Sequence, residues 1–248
     1  MPAKTKRFLY LEQTDSTQNA LREALEAGGA HEELVIYAGE QTKGRGMAGN
    51  YWLSEKGMNL TFSTVWWPSF LPAHDQFCMS MAVAVAIRRF TEVCISDRDI
   101  RIKWPNDIYA DGKKISGMLI ENVVQGGVIN RALIGIGLNV NQCVFPPEIP
   151  DAVSLKMLTG KDYDLGHLLA QIVESLDESY KRLRYDRHGI MQEYLSYLYR
   201  RMEWSVYGFR DGHKEARVTG VDEFGHLLLE LRNGSMISCD LKEVTFIR

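Results

Sequence analysis

Cysteine is scarce in this chain. The four, at positions 78, 94, 143 and 239, include no C-x-x-C pair. Such spacing builds neither a disulfide frame nor a zinc site, so reduced and mostly buried thiols are expected. The six histidines form no H-E-x-x-H or comparable ligand spacing. No apolar run reaches the roughly 18 residues of a membrane-spanning helix, and the N-terminus lacks a signal-peptide core. No membrane partner is expected, and a cytoplasmic location is. Basic excess is missing as well: a net charge of −3 and a pI near 6.1 argue against a dedicated nucleic-acid binder. Repeats, low-complexity tracts and the G-x-x-x-x-G-K-[ST] run of a P-loop are also absent.

What is there is enough apolar material, 45% of 248 residues, for one medium domain and a small one. Phe8 to Leu11 reads as a short strand. Asp15-Ser16-Thr17 offers N-cap chemistry for a helix through Leu21 and Leu25, stopped by Gly28-Gly29. Leu34 to Ala38 and Leu60 to Trp67 read as strands. A helix is expected over about 73–93, deeply buried because residues 81–87 are apolar nearly all round. Residues 100–104, 115–123 and 128–140 read as further strands, the last two joined at Gly126-Gly127. Helices follow from about Leu165 to Leu183 and over about 191–199. Beyond Arg201, five short alternating runs punctuated by turn residues predict a small SH3-like barrel. The expected domains are 1–201 and 202–248.

Two constellations carry chemistry. The first is Gly44-Arg45-Gly46-Met47-Ala48-Gly49. Glycines let a backbone approach a ligand closely, and an arginine among them offers a planar fork for phosphate or carboxylate. A dinucleotide fold is excluded by context, since this loop lies between two strands and opens no helix. The second is Lys103-Trp104-Pro105-Asn106-Asp107 followed by Gly112-Lys113-Lys114-Ile115-Ser116-Gly117. It brings lysines, an amide and a carboxylate to one end of adjacent strands. Lys113 reads as a solvated turn lysine, whereas Asp107 is either a turn-former or a ligand for Mg2+.

Taken in order, Asp15-Ser16-Thr17, Glu40 to Gly46, Lys103 to Asp107, Lys114 to Gly117 and Gly135 to Asn141 closely resemble the biotin–protein ligase family, over roughly residues 8–248. The resemblance implies an α+β fold: a class II aminoacyl-tRNA synthetase-like, biotin–lipoate ligase catalytic domain, with its mixed sheet flanked by helices and an SH3-like barrel at the C-terminal end. It implies ATP and biotin as substrates, Mg2+, and a two-step reaction through biotinyl-5′-AMP to a lysine of a biotin carboxyl carrier protein. Lys114, Arg45 and Asp107 match the catalytic positions. Ser16, Thr17, Gln41, Gly44, Arg45, Gly46, Trp52, Lys114, Gly117 and Gly137 match the biotin site. Arg45, Asn106, Asp107, Lys114 and Asn139 match the ATP site, and Asp107 is the metal candidate. Each has an ordinary alternative: Ser16 as a helix cap, Trp52 as core, the glycines as tight strand packing.

Two departures stand out. Many members carry Gly-Arg-Gly-Arg, and here the fourth position is Met47. Members that repress transcription carry a helix-turn-helix domain ahead of the catalytic one, whereas Phe8-Leu9-Tyr10 here already matches the catalytic domain. A lipoate–protein ligase-like transferase and a non-catalytic biotin-binding regulator are the rival readings. The assembly is expected to be a monomer or a homodimer.

Overall fold

The computed structural model describes residues 6–28 and 33–247. A seven-stranded mixed sheet runs in the order β1-β2-β3-β7-β6-β5-β4. Its strands are β1 (Arg7–Thr14), β2 (Leu34–Gln41), β3 (Leu60–Trp66), β4 (Ile100–Lys103), β5 (Asp107–Ala110), β6 (Lys113–Gln125) and β7 (Val128–Leu138). Among the described residues β1–β2 is the one parallel pair between neighbouring strands of this sheet, joined by helix α1 (Thr17–Glu26). The β2–β3 pair that brackets the glycine loop is antiparallel.

Alternation along the strands sorts this sheet into two faces. On one face, Phe62, Ile134, Ile136, Leu138 and Met118 join the main core with helices α2 (Phe77–Cys94) and α4 (Leu165–Tyr185). The apolar middle of α2, Met81 to Ile87, is buried along its whole length, as its composition predicts. Each such Val, Ile or Met side chain stabilises by about 1.5–3 kcal/mol. On the other face, Val65, Leu133 and Ile36 meet Leu21 and Leu25 of α1 in a smaller cluster. That helix covers only one end of its face, and the remainder forms the floor of a cleft.

The C-terminal strands β8 (Trp204–Phe209), β9 (Gly212–Val221), β10 (Leu227–Leu231), β11 (Met236–Cys239) and β12 (Thr245–Phe246) form a five-stranded antiparallel sheet, order β11-β10-β9-β8-β12. All five alternating runs are therefore strands. Trp104 Nε1, just after β4, donates to Gly225 O at 2.8 Å, tying this sheet to the larger one, and Arg200 Nη1, ahead of β8, donates to Ile247 O at 2.7 Å.

Several sequence expectations need correction. The segment after Pro105 does not stay a turn: Asp107–Ala110 is strand β5, whose alternation is too short to register. Residues 73–75 form a separate 3-10 turn before α2 opens at Phe77. Helix α5 spans Arg187–Ser196, earlier than 191–199, because the Asp186 carboxylate caps it by accepting from Gly189 N. Helix α3 (Leu155–Thr159), capped by Ser154, was not anticipated. Only Cys239 is buried; Cys78 and Cys94 are half-buried and Cys143 is exposed. Gly28 has φ +77°, as the stop of α1 requires, and Gly29 lies outside the described residues.

Candidate active site

The cleft floor is one transverse row across the sheet. Ala38 on β2 pairs with Thr61 on β3, Thr61 with Gly137 on β7, Gly137 with Gly117 on β6, Gly117 with Asp107 on β5, and Asp107 with Lys103 on β4. A second row runs Ser63–Gly135–Leu119. The middle of both rows is glycine, so the sheet surface there is bare backbone. The first row ends in a carboxylate and an ammonium.

The loop after β2 folds over this floor. Thr42 N and Lys43 N donate to Thr14 O and Asp15 O, and Trp52 N donates to Gly44 O at 3.0 Å, closing the loop on itself. A Cβ at Gly44 would lie 2.4 Å from Trp52 O, so this position requires glycine because of close approach and not because of a positive φ. The indole of Trp52 lies on Gly137, where a Cβ would come within 2.2 Å of its ring, and beside Gly117, where a Cβ would lie 3.2 Å from it. Trp52 Nε1 is buried without a hydrogen-bond partner among the described residues.

One end of the cleft is polar and blind. Thr17 donates from both N and Oγ1 to Gln41 Oε1, at 2.8 and 3.0 Å, and Thr17 Oγ1 lies 2.8 Å from Ser63 Oγ. Ser16 caps α1 by accepting from Gln18 N and also lines the cleft. Gln18, Ser63 and Gly135 line this end too and were missed in the sequence. Ser63 was signalled by a serine inside an otherwise apolar strand. Gln18 gave no signal, because a glutamine in a first helical turn reads as solvent-facing. The residue is 3% exposed, and its Nε2 is buried without a partner among the described residues.

The other end is charged. Lys114 Nζ lies 2.7 Å from Asp107 Oδ1, and the same ammonium stands 5.7 Å from the Trp52 ring centroid. Lys103 Nζ donates to Tyr109 Oη at 2.8 Å and faces the Phe246 ring. Burial lowers the Lys103 pKa below the ordinary lysine value; Asp107 opposes the shift and Lys114 adds to it. Lys113 is exposed, as expected.

Arg45 lines the cleft, but its guanidinium is turned to the rim. Nη2 donates to Glu121 Oε1 at 2.8 Å and Nη1 to Asn19 Oδ1 at 3.2 Å. Asn106 also lines the cleft, with its Nδ2 given to Met118 O at 2.8 Å. Asn139 lies elsewhere. It is buried, donates to Val153 O at 3.1 Å, and lines a neighbouring hollow with Tyr51, Tyr109, Glu148 and Asp151. Trp52 and Lys114 line both spaces. Of the predicted residues, Ser16, Thr17, Gln41, Arg45, Gly46, Trp52, Asn106, Asp107, Lys114, Gly117 and Gly137 meet in the first cleft. Gly44 supports its covering loop.

Among the described residues no three His, Cys, Asp or Glu side chains gather as a metal cage. Asp107 alone offers a cleft carboxylate, and Lys114 already shares it. That set fits Mg2+ only as an ion arriving on substrate phosphates, with one carboxylate beside it.

A polar blind end and a cationic mouth on one bare floor suit a protein that seats a small polar molecule beside an anionic one. Comparison with known proteins narrows this. The Biotin/lipoate A/B protein ligase family matches residues 10–139, more than half of the chain. The bifunctional ligase/repressor BirA of Bacillus subtilis is 30% identical over 243 residues, covering 92% of this chain and 71% of that protein. The biotin–protein ligase of Homo sapiens is 29% identical, covering 94% of this chain and 33% of its own length. Among solved structures, the biotin protein ligase of Aquifex aeolicus in complex with biotin and ATP superposes with a TM-score of 0.79 at 28% identity, covering 98% and 100% of the two chains. The chain belongs to the biotin/lipoate A/B protein ligase family.

Proposed function

We propose that the chain is a biotin–protein ligase. It activates biotin with ATP and transfers the biotinyl group to a lysine of a biotin carboxyl carrier domain. One observation carries the reading: a blind polar end and the Lys114 ammonium face each other across a floor without side chains.

The ureido ring of biotin is assigned to the blind end. Its N–H and C=O groups would meet Ser16, Thr17, Gln41 and the unpaired Gln18 amide, and an analogue lacking those groups would leave them unsatisfied. The tail then runs beside the Trp52 indole, which rests on Gly137 and Gly117 and forms one wall of its path. Its carboxylate arrives at Lys114, and the hollow lined by Tyr109, Asn139 and Asp151 takes the nucleotide. A carboxylate oxygen attacks the α-phosphorus, the P–O bond to pyrophosphate breaks, and biotinyl-5′-AMP forms. Two anions must be brought together for this step, so a fixed ammonium between them lowers the barrier by charge neutralisation. The acceptor amine then attacks the carbonyl carbon, AMP departs with the C–O electron pair, and the amine's proton is lost at the mouth, where Asp107 stands. Asn106 acts from behind, tying the β4–β5 turn to Met118 O on β6. Mg2+ would be held by the phosphates with Asp107 as its protein ligand, and would supply further neutralisation.

Residues 1–201 are proposed as the catalytic domain and 202–248 as the barrel. A cytoplasmic setting is proposed; no helix among the described residues is long and apolar enough to cross a membrane. The test is ATP–pyrophosphate exchange with biotin or lipoate. Biotin-dependent exchange is expected, and exchange driven by lipoate alone would overturn the assignment of the blind end.

A further inference from the structure

Glu121 takes no part in the chemistry above, yet it lies on the cleft face of β6. Gly117, Leu119 and Glu121 alternate along that strand, so Glu121 continues the floor toward α1. One of its oxygens accepts from Arg45 Nη2 at 2.8 Å, and the other is bound by Arg22 Nη2. Asn19 on α1 joins the same group. Its Oδ1 accepts from Arg45 Nη1 at 3.2 Å and from Arg22 Nη1 at 3.0 Å, while its Nδ2 donates to Asp15 Oδ2 at 3.0 Å. Arg45 therefore reaches from the covering loop, past the cleft, to the helix and strand on the far side. Beyond its base at Thr42 and Lys43, the loop is held by Trp52 on Gly137 and by Arg45 on Glu121 and Asn19.

We propose that Glu121 is a positioning residue for the adenylation cleft: it holds Arg45, and through it the glycine loop, closed over the bound adenylate. This rests on the reading of the cleft as the adenylate site. Arg22 binds the other oxygen of the same carboxylate and carries the same charge as Arg45, so it weakens the pull of Glu121 on Arg45. Removing Glu121 frees Arg45. Removing Arg22 leaves Arg45 as the sole cation on Glu121 and tightens the hold.

The test is a chase of labelled biotinyl-5′-AMP from the full-length protein, preloaded with biotin and ATP. Losing one charge-assisted hydrogen bond of this kind makes escape about tenfold faster in Glu121→Gln. Glu121→Asp recovers part of the retention, and Arg22→Ala escapes no faster than wild type. In an Arg45→Ala background, Glu121→Gln adds nothing further. Unchanged escape from Glu121→Gln overturns the latch. Equal acceleration by Arg22→Ala and Glu121→Gln also overturns it, since general loosening of the α1–β6 contact would give that result. If wild type forms no adenylate, the reading of the cleft fails and the latch falls with it; if it forms adenylate and only the Glu121→Gln result is missing, the latch alone fails.

Discussion

Lys114 Nζ and Asp107 Oδ1 stand 2.7 Å apart at the open end of a glycine floor, each carried by one strand of the β5–β6 pair. In the proposed function the carboxylate holds the ammonium where the biotin carboxylate and the α-phosphate meet. Replacing Lys114 with Ala is expected to reduce biotin-dependent pyrophosphate release by about 10²–10³ in kcat. Steady-state kinetics check this, and a change confined to KM would count against the role given to Lys114. Asp107→Asn is expected to slow transfer to the acceptor by about 10² or more, and to slow adenylate formation less. Single-turnover measurements of the two steps separate these effects.

Gly137 and Trp52 fit each other through the missing Cβ. Gly137→Ala would place a methyl within 2.2 Å of the indole, so the ring must leave the floor. A loss of about 1–3 kcal/mol in denaturant unfolding is expected, with a raised KM for biotin. Adding Trp52→Ala should recover part of the stability, because the two changes share one contact. Full additivity in the double variant would show that the contact is not the cause.

Met47 occupies the position where the family resemblance implies arginine, at the start of the short 3-10 turn Met47–Gly49, and it lines the cleft. Met47→Arg places a cation beside the anionic adenylate. Slower escape of the adenylate is the expected outcome of a chase experiment, and an unchanged rate would contradict it.

The larger sheet's helices carry their own pH signature. Burial pushes the Glu193 carboxyl up, but hydrogen bonds from Arg89 and Arg182, at 2.6 and 2.8 Å, outweigh it and hold its pKa below the ordinary 4.5. A carboxyl lowered in the folded state binds fewer protons than in the unfolded chain. Its stabilisation is therefore complete above pH 4.5 and lost as pH falls through the depressed folded value. Glu193→Gln is expected to cost about 2 kcal/mol at neutral pH. The gap to wild type should narrow in acid, as followed by urea unfolding across pH; a gap that stays constant to low pH would contradict the pairing.

Much of this was legible in the residues. The strands β2, β3, β6 and β7 announce themselves by β-branched alternation, and α2 and α4 by their apolar periodicity. The site residues were legible where backbone geometry demands a residue type, as at Gly44 and Gly137. What stayed hidden depends on register. Ser63, Thr61 and Gly135 form the floor only because β3 and β7 pair Ser63 with Gly135 and Thr61 with Gly137. A single strand pattern cannot state which residue lies opposite. The hold of Glu121 on Arg45 spans 76 positions in sequence, and Asn139 shows how a polar residue near a predicted site can instead be committed to backbone support.

The most direct test of biotin ligation is mass spectrometry of a biotin carboxyl carrier domain incubated with the protein, ATP and biotin. One biotinyl group on a single lysine is expected, dependent on ATP and abolished by Lys114→Ala. A carrier left unmodified by wild-type protein, or biotinylated equally by Lys114→Ala, would contradict it.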